Sequence, residues 1–147
     1  MAENTIYQSD ERRVILLRLM LQSPAYRTLP TVTAYRVLSE FMLKRSVQEM
    51  KDGREKRGSY WKVTNDGKIV FTYLEAERLG ISAYAFRDAI DALLERGFIR
   101  ITKTGEGKHR RCTFYGIADG WRTWKPGVTV NKRKKRKAQI GFQAADV

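Results

Sequence analysis

One cysteine and one histidine stand in the chain of 147 residues, Cys112 and His109. A lone thiol closes no intrachain disulfide and builds no cysteine zinc site. A lone imidazole removes any two-histidine metal motif, so no metal or cofactor is expected. No nucleophile with a defined base is visible, and the expectation is a protein that is not an enzyme and has no small-molecule ligand. Long apolar runs are also missing: Val14–Leu17 is interrupted by Arg18 before Leu19–Leu21. A membrane span needs roughly 20 predominantly apolar residues. The start, Met-Ala-Glu-Asn with Asp10 and Glu11 before any apolar residue run, lacks the basic region of a secretory signal. These absences give the expectation of a cytoplasmic protein in a reducing compartment, with no membrane partner.

Acidic side chains are scarce as well, 16 against 29 Lys and Arg, for a net charge of +13. The apolar fraction is 42%, enough for a packed core in one domain of ordinary size with tails. The positive excess is clustered. Residues 44–62 carry +4, residues 100–111 carry +4 and residues 122–137 carry +8 with no acid among them, whereas residues 63–99 carry −2. A solvated face usually mixes signs, so one-sign clusters point to a polyanion, and nucleic acid is the common one.

Residues 10–22 read as a helix capped by Asp10, with Val14, Leu17 and Leu21 on one stripe and Ile15 and Leu19 beside it. Ser23-Pro24 breaks or restarts it. Residues 24–29 suit a turn of helix. A second helix is expected from Thr31 or Thr33 to about Met50, with Tyr35, Leu38, Phe41 and Met42 facing the core. Lys51–Ser59 reads as a charged connection and Tyr60–Val63 alternates weakly. Asn65-Asp66-Gly67 is a turn, and Lys68–Phe71 a short strand. Thr72 and Glu75 have capping-box spacing before a short helix from Tyr73 to Leu79, stopped by Gly80. Ser82 caps a further helix with Phe86, Ile90, Leu93 and Leu94 at core spacing, ending at Gly97. Phe98–Thr102 alternates as a strand, with Phe98, Arg100 and Thr102 on one side and Ile99 and Ile101 on the other. A glycine-punctuated turn, Thr104–Lys108, and a return strand, Arg110–Ala118, complete a basic hairpin.

This order, and the residues Leu79-Gly80-Ile81-Ser82, Ala89-Ile90, Leu93 and Gly97-Phe98-Ile99, resemble the turn and the helix-to-wing junction of winged helix-turn-helix proteins. Asn65–Ile69 before Thr72, and Thr113–Ile117, resemble the lead-in and closing strands of those found in bacterial plasmids, phages and other mobile elements. The resemblance covers about residues 24–120. It implies an α+β fold: an N-terminal helical extension (1–23), a winged-helix domain (24–126) and a disordered basic tail (127–147). It also implies that the helix from Ser82 to Arg96 enters a major groove of double-stranded DNA, with Ser82, Ala83, Tyr84 and Arg87 near the reading end. Arg87 suits guanine or a phosphate. In the implied wing, Lys103, Lys108, His109, Arg110 and Arg111 would follow a backbone or the minor groove. Lys132, Arg133, Lys134, Lys135, Arg136 and Lys137 would neutralise phosphates. The role implied is a small transcriptional regulator or replication accessory, nucleoid-associated. The apolar stripe Val14–Leu21, too rich for one exposed helix, either caps the core or pairs a homodimer.

Asp88, Asp91 and Glu95 depart from this pattern, because acids on a groove-entering helix repel phosphates. Two other readings therefore stay open: a protein-interaction winged helix whose tail alone binds nucleic acid non-specifically, and an RNA-binding basic protein. Thr104–His109 is not a phosphate loop, since Thr102 and His109 stand where that motif needs Gly and Ser or Thr. Cys112 beside Arg110 and Arg111 reads as a small structural residue. Trp121 and Trp124 read as packing over the open end of the hairpin, with base stacking as the alternative.

Overall fold

The structure, a computed structural model, describes residues 16–51, 59–105 and 112–133, with only the backbone described at 49–51 and 59–61. Among the described residues the α-helices are α1 (Arg18–Gln22), α2 (Pro24–Arg27), α3 (Val32–Lys44), α4 (Tyr73–Arg78) and α5 (Ala83–Glu95), with a 3-10 turn at Gly120–Arg122. The strands are β1 (Val47–Lys51), β2 (Ser59–Val63), β3 (Ile69–Val70), β4 (Ile99–Lys103) and β5 (Phe114–Ile117). They form two small antiparallel sheets, the ribbon β1-β2 and the sheet β3-β5-β4. The architecture is mixed α+β.

Local chemistry explains most of the helix starts. Ser23 accepts from the Tyr26 N–H ahead of Pro24, Thr31 from Ala34, Thr72 from Glu75 and Ser82 from Ala85. α3 and α5 pack face to face over Val37, Leu38, Phe41, Ile90, Leu93 and Leu94. An aromatic chain runs through the centre: Phe41 lies 5.4 Å from Phe71 and 5.2 Å from Tyr115, and Phe71 lies 4.8 Å from Phe86. Burial pushes the Tyr115 hydroxyl pKa up to about 12. Trp121 and Trp124 are buried too, and the Trp124 indole N–H donates to the Val128 carbonyl at 2.8 Å.

Four expectations are corrected. The helix expected over 10–22 starts at Arg18, because Leu17 is extended (φ −77°, ψ 128°) and has no side-chain cap; Asp10, Val14 and Ile15 lie outside the described residues. Met20 fills the core from this turn, while Leu17 is exposed. The second helix stops at Lys44 instead of running to Met50. Asn65, from the turn far along the chain, donates its Nδ2 to the Lys44 carbonyl (2.8 Å) and accepts the Ser46 N–H on Oδ1 (2.9 Å), which ends the helix and starts β1. The segment after it is therefore half of a β-ribbon, with Val47 opposite Val63 and Lys51 opposite Ser59. Phe98 and Ile99 are both buried, against the expected alternation, because Phe98 precedes the strand and its N–H still bonds the Leu93 carbonyl of α5. Finally, the tail expected to be disordered from residue 127 is bound to the domain as far as Arg133. The N–H groups of Val130 and Asn131 donate to the carbonyls of Glu95 (2.8 Å) and Leu94 (3.1 Å). Residues 134–147 lie outside the described residues.

Gly80 and Gly97 both follow helices at positive φ, 78° and 77°. They differ in their surroundings. A Cβ at Gly97 would stand 2.6 Å from the Gly120 Cα, whereas one at Gly80 would meet nothing within 4 Å. Gly80→Ala is therefore expected to cost about 1 kcal/mol, the left-handed backbone penalty. Gly97→Ala should cost at least about 2 kcal/mol more, since backbone collides with backbone. Urea unfolding of both variants checks this, and equal losses would mean that the Gly97–Gly120 approach relaxes freely.

Candidate nucleic-acid interface

Burial of Phe86, Ala89, Ile90 and Leu93 dictates which face of α5 is left. Tyr84, Asp88, Asp91 and Glu95 follow one another at spacings of three and four, and Arg87 joins them three after Tyr84 and four before Asp91, the repeat that stacks side chains along one side of a helix. Tyr84 is 74% exposed at the head of this stripe, beside exposed Ala83 and the capping Ser82. The Arg87 guanidinium lies 5.3 Å over the Tyr84 ring, and its Nε is 3.9 Å from Asp88 Oδ1. The stacked side chain stays about half exposed, 52% of its surface.

The chain's own C-terminal segment docks beside the second half of the stripe, pairing with Asp91 while the Glu95 side chain stays exposed. Arg133 Nε is 2.6 Å from Asp91 Oδ1; its Nη2 donates to the Arg87 carbonyl (3.1 Å) and its Nη1 to the Tyr73 hydroxyl (3.4 Å). Burial alone would lower the Arg133 pKa, but the Tyr73 hydrogen bond and the Asp91 charge more than offset it and the pKa is raised. Asn131 completes the attachment by donating Nδ2 to the Ile99 carbonyl at 3.1 Å. Sequence reasoning placed Arg133 in a free cationic run and missed Tyr73, Asp91 and Asn131. A usable signal was there: acids spaced along one stripe of a helix, and one Asn at the head of six cations.

Of the residues expected to contact nucleic acid, Ser82, Ala83, Tyr84 and Arg87 are together on α5, and Arg133 joins Arg87. Lys132 is exposed next to it. Lys103 is exposed at the end of β4. Lys108, His109, Arg110 and Arg111, and Lys134, Lys135, Arg136 and Lys137, lie outside the described residues. Cys112 is a free, exposed thiol. Several other cations have structural partners. Arg36 Nη2 donates to the Leu79 carbonyl in the turn before α5 (3.0 Å), Lys44 pairs with Glu75, and Arg96 stacks 4.7 Å over Trp124 while donating to the Thr28 carbonyl.

The root of the β4–β5 hairpin is tied to the turn before β3. Asp66 takes both Arg100 nitrogens, at 3.2 and 2.8 Å, and the Ile117 N–H at 3.3 Å. The Arg100 guanidinium also donates to the Ile117 carbonyl (2.6 Å), in space that a side chain at Gly116 would fill. Thr102 donates to the Gly67 carbonyl at 2.5 Å. The hairpin is thus aimed by polar bonds as well as by its strands.

Among the described residues, no cluster of three His, Cys, Asp or Glu could hold a metal ion. Nor is any described helix long and apolar enough to cross a membrane. Comparison of the chain with family models, with curated proteins and with solved structures gives no match.

The Arg100 hydrogen bonds hold the Asp66 carboxyl below the usual carboxylate range. A depressed folded pKa adds stability above the unfolded value of about 3.9 and loses it as pH falls through the folded value. Both side chains are more than a third exposed, so the contribution is screened and Asp66→Asn should cost about 1 kcal/mol near neutrality. The difference between wild type and variant should shrink steadily below about pH 4. Urea melts at several pH values check it, and a gap that does not change with pH would show that the charge on Asp66 contributes nothing.

Proposed function

We propose that the chain is a winged helix-turn-helix protein that binds double-stranded DNA, with α5 entering the major groove and the β4–β5 hairpin as the wing. The observation that carries this reading is the joining of the α4–turn–α5 unit to a sheet in which β5 lies between β3 and β4. That arrangement packs the inner face of α5 on α3 and leaves the opposite stripe for a ligand. The exposed Tyr84–Arg87 stack supports it, because a planar, pre-stacked guanidinium suits bidentate contact with guanine or a phosphate. The net charge of +13 supports a polyanionic partner. The role is that of a small transcriptional regulator or replication accessory of a mobile element, acting at the nucleoid in the cytoplasm as a binding protein, not a catalyst.

Exposed Leu16, Leu17 and Leu19 support a further part of the proposal, a homodimer through the region Val14–Leu21. Such a dimer would read half-sites about one helical turn, roughly 34 Å, apart. Sedimentation equilibrium of the free protein tests the pairing.

Selection from a randomised duplex pool, followed by sequencing, tests the main reading, and an enriched motif is expected. Equal retention of every duplex would favour the protein-interaction module with a non-specific tail, and preference for structured RNA would favour the RNA-binding reading. On the selected site, Arg87→Ala should cost roughly 1–3 kcal/mol and relax selectivity at one base pair. Unchanged selectivity would mean that α5 is not the reader. Deleting residues 134–147 removes four cations of the run and should flatten log affinity against log salt by up to about 3.6 units, at −0.9 per phosphate contact. It should leave the selected sequence unchanged, because phosphates carry no sequence information.

A further inference from the structure

We infer that α5 and the segment 128–133 form one composite surface for a phosphodiester backbone, in which Asp91 docks Arg133 so that the cations at the end of the chain act on the same stretch of duplex as Tyr84 and Arg87. The inference rests on the DNA-binding reading and specifies how the helix and tail share one site.

Three observations carry it. The first is polarity. The Val130 N–H donates to the Glu95 carbonyl and the Asn131 N–H to the Leu94 carbonyl, while Arg133 forms an ion pair with Asp91 and donates to the Arg87 carbonyl, so the segment ascends in number while its helix partners descend. It therefore runs antiparallel to α5, toward the helix N-terminus. The second is the face. Asp91 shares the stripe of Tyr84 and Arg87, so the segment, paired with Asp91 and bonded to the Glu95 carbonyl, runs beside the C-terminal half of that stripe and leaves Tyr84 and Arg87 exposed. The third is sequence continuity: four further cations, Lys134-Lys135-Arg136-Lys137, directly follow the docked Arg133.

The arrangement accounts for acids on a helix proposed to meet phosphates. Asp91 has a guanidinium at 2.6 Å, so its field is neutralised before any duplex arrives. Of the other two acids, Glu95 adjoins the same segment, and Asp88 has Arg87 at 3.9 Å. Anchoring also raises the effective concentration of the tail at the helix, since its cations start from a fixed point next to Arg87 instead of from a distant one.

The test uses full-length protein and charge-matched variants on the selected duplex. Arg133→Asp should weaken binding by about tenfold or more beyond Lys125→Asp, which removes the same charge from an exposed site outside the pair. The exchange Asp91→Arg with Arg133→Asp keeps the net charge and rebuilds the pair, and should return affinity to within about threefold of wild type. Hydrogen exchange in the free protein gives a readout without DNA. The Val130 and Asn131 amides should be protected in wild type and in the exchanged variant, and should lose about tenfold or more of that protection in Arg133→Asp alone. Equal losses for Arg133→Asp and Lys125→Asp, or no recovery on exchange, would overturn the composite surface while leaving duplex binding standing. A wild-type protein that binds no duplex at low salt would overturn the DNA-binding reading, and the composite surface with it.

Discussion

Phe86 and Ile90 are drawn into the core from one side of α5, and this burial governs what every other residue of the helix can do. Phe86 packs on Phe71 and, edge to face at 5.0 Å, on Tyr73. Burying an aromatic ring of this size is worth a few kcal/mol. A rotation that freed Arg87 or Asp91 differently would expose Phe86, and an exposed ion pair, worth about 1 kcal/mol or less, does not compensate for that. The direction of Tyr84, the stacking of Arg87 and the docking of the C-terminal segment all inherit their geometry from that ring.

Polar bonds refine what the core has fixed. Asn65 ends α3, and the neighbouring Asp66 and Gly67 hold Arg100 and Thr102 at the root of the β4–β5 hairpin. One three-residue turn thus joins the end of the first long helix to the hairpin that follows the last. Each bond contributes only about 1 kcal/mol, but together they set directions that hydrophobic burial leaves loose. The close approach of Gly97 to Gly120 works likewise at the other end of α5, bringing Trp121 and the segment after it back over the helix.

Charge is divided by the same geometry. Arg36, Lys44, Arg96, Arg100 and Arg133 have partners within the protein, so the net charge overstates what α5 presents to a ligand. Tyr84, Arg87, Lys103 and Lys132 remain exposed. An acidic stripe that looks unfavourable as a sequence becomes, beside Arg133, a place for the chain to hold its own basic segment.

The starts of α2, α3, α4 and α5 were legible because each depends on a few adjacent residues: Ser23 with Pro24, Thr31, Thr72 and Ser82 are local caps, and Gly80 and Gly97 local stops, whereas α1, without a cap, starts at Arg18 and not at Asp10. The face of α5 was legible too, since a repeat near 3.6 residues needs no partner to be recognised. The end of α3 was not, because it is made by Asn65, some twenty residues away, and the ribbon β1-β2 begins only once that helix has ended. The docked segment was illegible for a similar reason. Lys132 and Arg133 look like the rest of a solvated cationic run until folding brings Asp91 and the Tyr73 hydroxyl to one place. The sequence by itself determined the starts of α2 to α5, the buried face of α5 and the sign of the charge, all readable from the chain without its tertiary contacts. Tertiary structure alone decided where α3 stops, which cations are already paired and which way the C-terminal segment runs, because each depends on groups that meet only after the core has closed.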